Sequence, residues 1–251
     1  MQRGRNIGIT TIAIGLAVLT SMARAQQPAG GGRGTEPQGR EGGRGGGREG
    51  GRGAVAEPAA RPALLFKEDW KQPPYTGTLN DENRRATQDA VTNPRLELKL
   101  YGTDARNVGV YTHEGRFDLW TGVVSSPVAI MLRDKGNYVD LTGLSRLRAI
   151  VRTLALHVIH PVVKLADGTY LAGSRAMDTE GEYIQEEVRF GGMRWHKLDP
   201  MKVVTTVEVA SPDLTRVDEV GFVDLAPGGG HGVAGAFNVS TLELYAKAVP
   251  R

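Results

Sequence analysis

The sequence predicts an all-β fold of antiparallel strands, and three observations carry that expectation. Between residues 63 and 251, apolar side chains recur with period two or gather in short β-branched runs. Turns bearing Gly and Asp separate those runs at short intervals. The sustained 3.6-residue period of an amphipathic helix is hard to find. Many short strands at this spacing predict a sandwich or barrel, long enough for one domain that buries about 70% of its unfolded surface.

The first clear strand is RLELKLYG, where Leu96, Leu98 and Leu100 share one face and Glu97 and Lys99 the other. FDLWTGVV, PVAIMLR and NYVDL follow, the last two joined by DKGN. In SRLRAIVR, Arg146, Arg148 and Arg152 project to one side and Leu147, Ala149 and Val151 to the other. If the next strand runs through VIHPVVKL, His160 and Lys164 share the side of the arginines. Pro161 cannot donate to a ladder, which predicts an edge or bulged strand. ADGT then leads to TYLAG, and EYIQEEVRF offers Tyr183, Gln185, Glu187 and Arg189 on its polar face before FGGM turns into RWHKLD. KVVTTVEV, VDEVGFVDL and STLELYAKA complete the strands, and only SPDLTR and NDENRRATQDAVT read as brief helices.

Two segments precede this domain. Arg3 and Arg5, the apolar run IGITTIAIGLAVL and the small residues of ARA (23–25) read as a secretory signal peptide cleaved after Ala25. The run is too short for the roughly 20 residues of a membrane helix, so no membrane span is expected after cleavage. Residues 26–62 form a Gly/Arg-rich linker that cannot offset its ordering entropy and is expected to be disordered, reaching on the order of 30 Å. Removing both leaves 22 basic against 24 acidic residues, so the folded part carries no excess positive charge and nucleic acid is not an expected partner. Cysteine is absent. An export signal without disulfides fits a bacterial periplasmic or secreted protein that relies on the size of its core.

Towards the C-terminus the order of pieces takes a familiar form. A strand bearing Trp195 comes before a turn built from Asp213, Leu214, Thr215 and Val217. An apolar strand with Val220, Gly221 and Phe222 follows, then a variable loop, and a last strand carries Glu243 and Tyr245. This resembles the galactose-binding-like jelly-roll domains of carbohydrate-binding modules and related secreted proteins. The resemblance implies a jelly-roll β-sandwich and, in many members, glycan binding; other members are purely structural.

Gly230, Gly232 and Gly235 satisfy the spacing G-x-G-x-x-G, which in a dinucleotide site opens a helix facing a pyrophosphate. Here AFNVSTLELY follows, whose alternation predicts a strand, so the run reads instead as a loop between two strands. Loops at sandwich ends commonly carry ligand contacts, which makes His231 and the preceding Asp224 site candidates. Arg148, Arg152, His160 and Lys164, together with Tyr183, Gln185, Glu187 and Arg189, offer a polar sheet face of mixed sign, with Trp120, Tyr170 and Trp195 as aromatic platforms for sugar C–H faces. His157 and His160 lie three apart, on opposite faces if on one strand, and do not suit one metal. No cofactor is implied, a structural Ca²⁺ having only the modest oxygen set Asp134, Asn137 and Asp140.

The leading functional expectation is a non-catalytic, secreted module that recognises a glycan or cell-envelope polymer. Neither a G-x-S-x-G elbow nor an H-E-x-x-H motif is present. A carbohydrate-active enzyme using Asp224, Asp218 and His231, and a structural envelope protein, are the alternatives the sequence leaves open.

Overall fold

The computed structural model describes residues 60–226 and 236–251. Fifteen strands in the described residues form two antiparallel sheets of a jelly-roll sandwich. Sheet A is ordered β10 (Ile184–Arg189), β7 (Arg146–Leu154), β14 (Ala236–Tyr245), β4 (Arg116–Trp120), β3 (Gly109–His113). β1 (Leu64–Asp69) also pairs with β14, beside its C-terminal half, while β4 takes the N-terminal half of the same edge. Sheet B runs β12 (Val204–Val209), β11 (Trp195–Asp199), β9 (Tyr170–Gly173), β8 (Ile159–Leu165), β13 (Val217–Asp224), β5 (Val128–Asp134), β2 (Leu96–Tyr101). β6 (Asn137–Asp140) and β15 (Lys247–Pro250) extend it beside β13.

Alternation explains why the sheets stack. On β7 the odd residues Leu147, Ala149 and Val151 are buried while Arg146, Arg148 and Arg152 face outwards, as the sequence pattern expects. Those buried residues join Ile130, Leu132, Val163, Trp195, Phe222, Phe237 and Leu244 in the main core. Each such aliphatic or aromatic side chain contributes about 1.5–3 kcal/mol by leaving water. β13 is buried along its whole length because both neighbours, β5 and β8, flank it. At Gly221 a Cβ would lie 2.0 Å from the Ile130 carbonyl oxygen, so only glycine allows β13 this close to β5.

Several expectations need correction. VIHPVVKL is not an edge strand, since β8 lies between β13 and β9, but its ladder to β13 is irregular, with the shift falling between Val217 and Glu219 opposite Leu165 and Lys164. Pro161 is accommodated where the ladder to β9 stops, its pairs beginning at Val162, and the neighbouring Gly173 carbonyl accepts a bond from His160 Nδ1 at 3.0 Å. β7 and β8 belong to different sheets, so His160 and Lys164 do not share the side of the arginines. SPDLTR is not helical; Asp213 instead caps a turn by accepting from Thr215 N–H at 2.9 Å. NDENRRATQDAVT holds one 3₁₀ turn, Gln88–Ala90. β1 and β3 are strands that the sequence pattern left unassigned, and STLELYAKA divides between the end of β14 and the start of β15.

The leader, most of the linker and residues 227–235, including His231, lie outside the described residues. Ala236 opens β14, so a strand and not a helix follows Gly235, against a dinucleotide site. Among the described residues no helix is long and apolar enough to cross a membrane.

Candidate ligand-binding face

The expected site residues divide between several places. Trp195 is a correction: at 1% exposure it is a core residue, roughly parallel to Phe190 with ring centroids 6.3 Å apart, and offers no face to a ligand. Asp224 is also buried, at the end of β13. Its Oδ2 is bonded to His157 Nδ1 and its Oδ1 accepts from Ala226 N–H at 2.9 Å. Burial pushes its carboxyl above the usual range, although His157 works in the other direction. Asp218 stands six residues away on the same strand, about 20 Å along it, too far for the two acids of a glycosidase. The proposed Ca²⁺ residues are committed elsewhere. Asp134 Oδ1 accepts from the Gly136 and Asn137 N–H groups, its Oδ2 binds Arg95 at 2.6 Å, and Asp140 caps Thr142. Among the described residues no cluster of three or more potential His, Cys, Asp or Glu ligands could hold a metal ion.

Tyr170, His160 and Lys164 lie on the outer face of sheet B, where polar groups are bonded to one another. Tyr170 donates to the Tyr101 hydroxyl at 3.0 Å, Tyr101 donates to Glu219 at 2.8 Å, and Lys164 donates to Glu219 at 2.8 Å. Burial raises the Tyr101 phenol above its ordinary pKa, with Tyr170 and Glu219 adding to the shift. Burial disfavours the Lys164 charge, but the Glu219 contact outweighs it and the net shift is upwards. Asp218 bridges Arg133 at 3.0 Å and Arg251 at 2.6 Å. Its burial favours the neutral acid, yet these cations hold the carboxyl below its usual range. The turn from β11 to β12 then crosses this face: Val203 Cγ2 lies 3.2 Å from where a Cβ at Gly102 would stand, just past β2 at the opposite edge. Sheet B therefore curls, burying Met131, Val162, Leu198 and Val203 in a second apolar cluster beneath the turn.

The outer face of sheet A is different, because it leaves buried polar atoms without partners. Asp118 on β4, 1% exposed, accepts from the Tyr183 hydroxyl and, at 3.5 Å, from Asn238 Nδ2 on β14. Asp118 Oδ1 and Asn238 Oδ1 are both buried and have no hydrogen-bond partner among the described residues. Burial raises the Asp118 pKa, and the Tyr183 hydroxyl opposes that shift. Tyr183 reaches this position from the segment before β10, which Arg152 anchors by donating from Nε to Gly181 O at 2.7 Å. His113 stacks on the Tyr183 ring at 4.4 Å and 18°, and Arg152 lies 5.5 Å from the same ring. A cleft of about 140 Å³ opens beside Asp118, lined by His113, Glu114, Arg116, Asp118, Tyr183 and Ser240. Ser240 falls at a bulge in β14 between Val239 and Thr241.

Trp120 is adjacent, partly exposed, with Tyr111 edge-on at 4.1 Å. Its ring packs so closely on Gly122 that a Cβ there would come within 1.8 Å. Further along β7, Arg148 borders two more clefts. One, of about 100 Å³, includes Lys67, Ile150, Gln185, Thr241 and Glu243. The other, of about 160 Å³, is lined by Arg61, Leu144, Arg146, Arg189 and Glu187. Of the expected residues, sheet A thus brings Trp120, Arg148 and Arg152 onto one face and sheet B takes the rest of the exposed set. Asp118, Asn238, His113 and His157 were missed. The signal for the first two was a polar residue inside an apolar strand, FDLW and AFNVS.

No protein-family model matches the chain, and no curated protein matches it. Among solved structures, one similar chain is a family 11 carbohydrate-binding module from Clostridium thermocellum in complex with a β-1,3-1,4-mixed-linked tetrasaccharide. It is 10% identical, with 71% of this chain and 94% of that chain covered and a TM-score of 0.36. The family 11 module of a cellulosomal cellulase of Clostridium thermocellum is 11% identical over 62% of this chain and 85% of that one, at a TM-score of 0.37. An exo-β-agarase is 8% identical, at a TM-score of 0.36 over 66% of this chain, which spans only 25% of the agarase. Likenesses this distant assign neither a ligand nor a residue role.

Proposed function

We propose that the domain is a non-catalytic carbohydrate-binding module of a secreted or periplasmic protein, and that it takes a glycan on the outer face of sheet A. The observation that carries this reading is the buried, unpartnered acceptor Asp118 Oδ1 in the lining of an open cleft, with a second such acceptor, Asn238 Oδ1, on the neighbouring side chain behind it. A buried acceptor without a donor costs about 1–3 kcal/mol, and a sugar hydroxyl supplies that donor. His113, Tyr183 and the nearby Trp120 add flat surfaces for sugar C–H groups, while Arg116 and Arg152 add donors for ring and hydroxyl oxygens.

Affinity electrophoresis of the purified protein through gels containing neutral and acidic polysaccharides tests the proposal. Retardation on at least one polysaccharide is expected, weakened by Asp118→Asn and by His113→Ala in variants whose melting temperature shows them folded. A folded protein that migrates unretarded through every polysaccharide overturns the reading.

A further inference from the structure

Beyond the hydroxyl-binding cleft, we infer that the glycan is acidic, and that Arg146, Arg148 and Arg189 receive a carboxylate on one of its sugar units. The inference rests on the carbohydrate reading and narrows it to a substrate class. Three guanidinium groups converge on the single carboxylate of Glu187, from Arg146 at 3.1 Å, Arg148 at 3.3 Å and Arg189 at 3.5 Å. Arg61 lines the same cleft. Glu243 offsets part of this charge, lying 3.6 Å from Arg148 and accepting from the Tyr245 hydroxyl at 2.8 Å; Lys67 and Asp69 pair with each other at 2.7 Å. Counting Arg61, Arg146, Arg148, Arg189 and Lys67 against Glu187, Glu243 and Asp69 leaves two positive charges, on a domain with more acidic than basic residues.

Arg146 and Arg148 are also held in place for an incoming anion, while the Arg189 side chain stays exposed. Arg146 stacks at 4.0 Å on the Tyr245 ring and Arg148 lies 5.2 Å from it, so little freedom remains to be lost on binding. Arg148 Nε is a buried donor with no acceptor among the described residues, the complement of the orphaned acceptors at the other cleft. A planar carboxylate matches the guanidinium fork. Register sets the spacing: Arg152 pairs with Asn238, and Arg148 lies four residues before it on β7, about 13 Å away. The cleft bordered by Arg148, Ile150 and Thr241 lies between the two ends. A short oligosaccharide lying along β7 therefore places one unit's hydroxyls over Asp118, and the carboxylate of a unit further along the chain among the arginines.

The test compares affinity gels of polygalacturonate, its methyl ester, a sulfated galactan, a neutral mixed-linkage glucan and polyglutamate at low ionic strength. Two charge-assisted hydrogen bonds predict retention on polygalacturonate about tenfold or more tighter than on the methyl ester. Arg146→Gln combined with Arg189→Gln should reduce the free acid to the level of the ester. Equal retention of acid and ester, or an unchanged preference in the double variant, overturns the inference. Retention on the neutral glucan alone overturns it while leaving the carbohydrate reading intact, and retention on none overturns both. Preference for the sulfated galactan rejects a carboxylate, and equal retention on polyglutamate rejects a sugar-bound one.

Discussion

Removing one hydroxyl, by Tyr183→Phe, is the sharpest probe of the sheet A cleft. Once the Tyr183 donor is gone, Asp118 keeps a distant 3.5 Å contact from Asn238 and the nearby Ser240 hydroxyl, and it is almost wholly buried. A hydrogen bond to an ionised group contributes about 1.5–3 kcal/mol, and one to a neutral acceptor about 0.5–1.5 kcal/mol. Tyr183→Phe should therefore cost about 1 kcal/mol more beside Asp118 than beside Asn in an Asp118→Asn background. The sign of the pH dependence follows from the direction of the Asp118 shift. Its folded pKa is raised, so the folded state holds the proton more tightly than the unfolded chain does. Ionised Asp118 thus lowers stability at neutral pH, and that cost disappears as pH falls through the raised folded pKa to below the unfolded value near about 3.9. Relative to wild type, Asp118→Asn should look best at neutral pH and lose its advantage in acid. Urea unfolding of the four proteins with equal m-values measures the coupling, and ¹³C carboxyl NMR locates the Asp118 titration. Equal cost of Tyr183→Phe in both backgrounds, or an unshifted Asp118, would refute the reasoning.

Other substitutions address the framework. Trp195→Ala should destabilise by about 3–5 kcal/mol in thermal or urea unfolding, because it empties a core position, yet leave glycan retention of the folded fraction as it was. Gly221→Ala drives a Cβ against the Ile130 carbonyl and Met131 Cα, backbone atoms that cannot swing away. A loss of about 1–3 kcal/mol or more is expected, read as a lowered urea midpoint. His157→Ala leaves the buried Asp224 carboxylate without its ring partner, costing about 1.5–3 kcal/mol at neutral pH. Because burial raises the Asp224 pKa, that cost should shrink in unfolding experiments as pH falls and the carboxyl takes up a proton.

Period-two alternation made the strands legible wherever one face meets the core and the other meets water, as β7 shows. It could not say which sheet a strand joins, since that depends on crossovers between distant segments. His160 and Lys164 have the expected parity but belong to the opposite layer from Arg148 and Arg152. In RWHKLD, Trp195 shares parity with Lys197 while Leu198 faces the other way, so the local pattern gives no inward side. A pairing irregularity between His196 and Leu198 blurs it further. Asp118 and Asn238 escaped notice for a related reason. Each is a polar residue in an apolar strand, and only the overlying Tyr183, brought from elsewhere in the chain, turns an outward position into a buried one.

β14 is flanked by β7 on one edge and shares its other edge between β1 and β4, so the middle plank of sheet A comes from residues 236–245. Phe66 waits for Leu244 before it finds a neighbour, and Leu119, already paired with Val110 on β3, waits for Val239 on its other side. During synthesis the earlier strands of this layer can form only the separate pairs β3–β4 and β7–β10, with β1 unpaired, and the ordering entropy of joining them is met only at the end. Assembly of the whole layer is thus tied to the arrival of its last strand, and a chain interrupted before residue 236 would have hairpins but no sheet A.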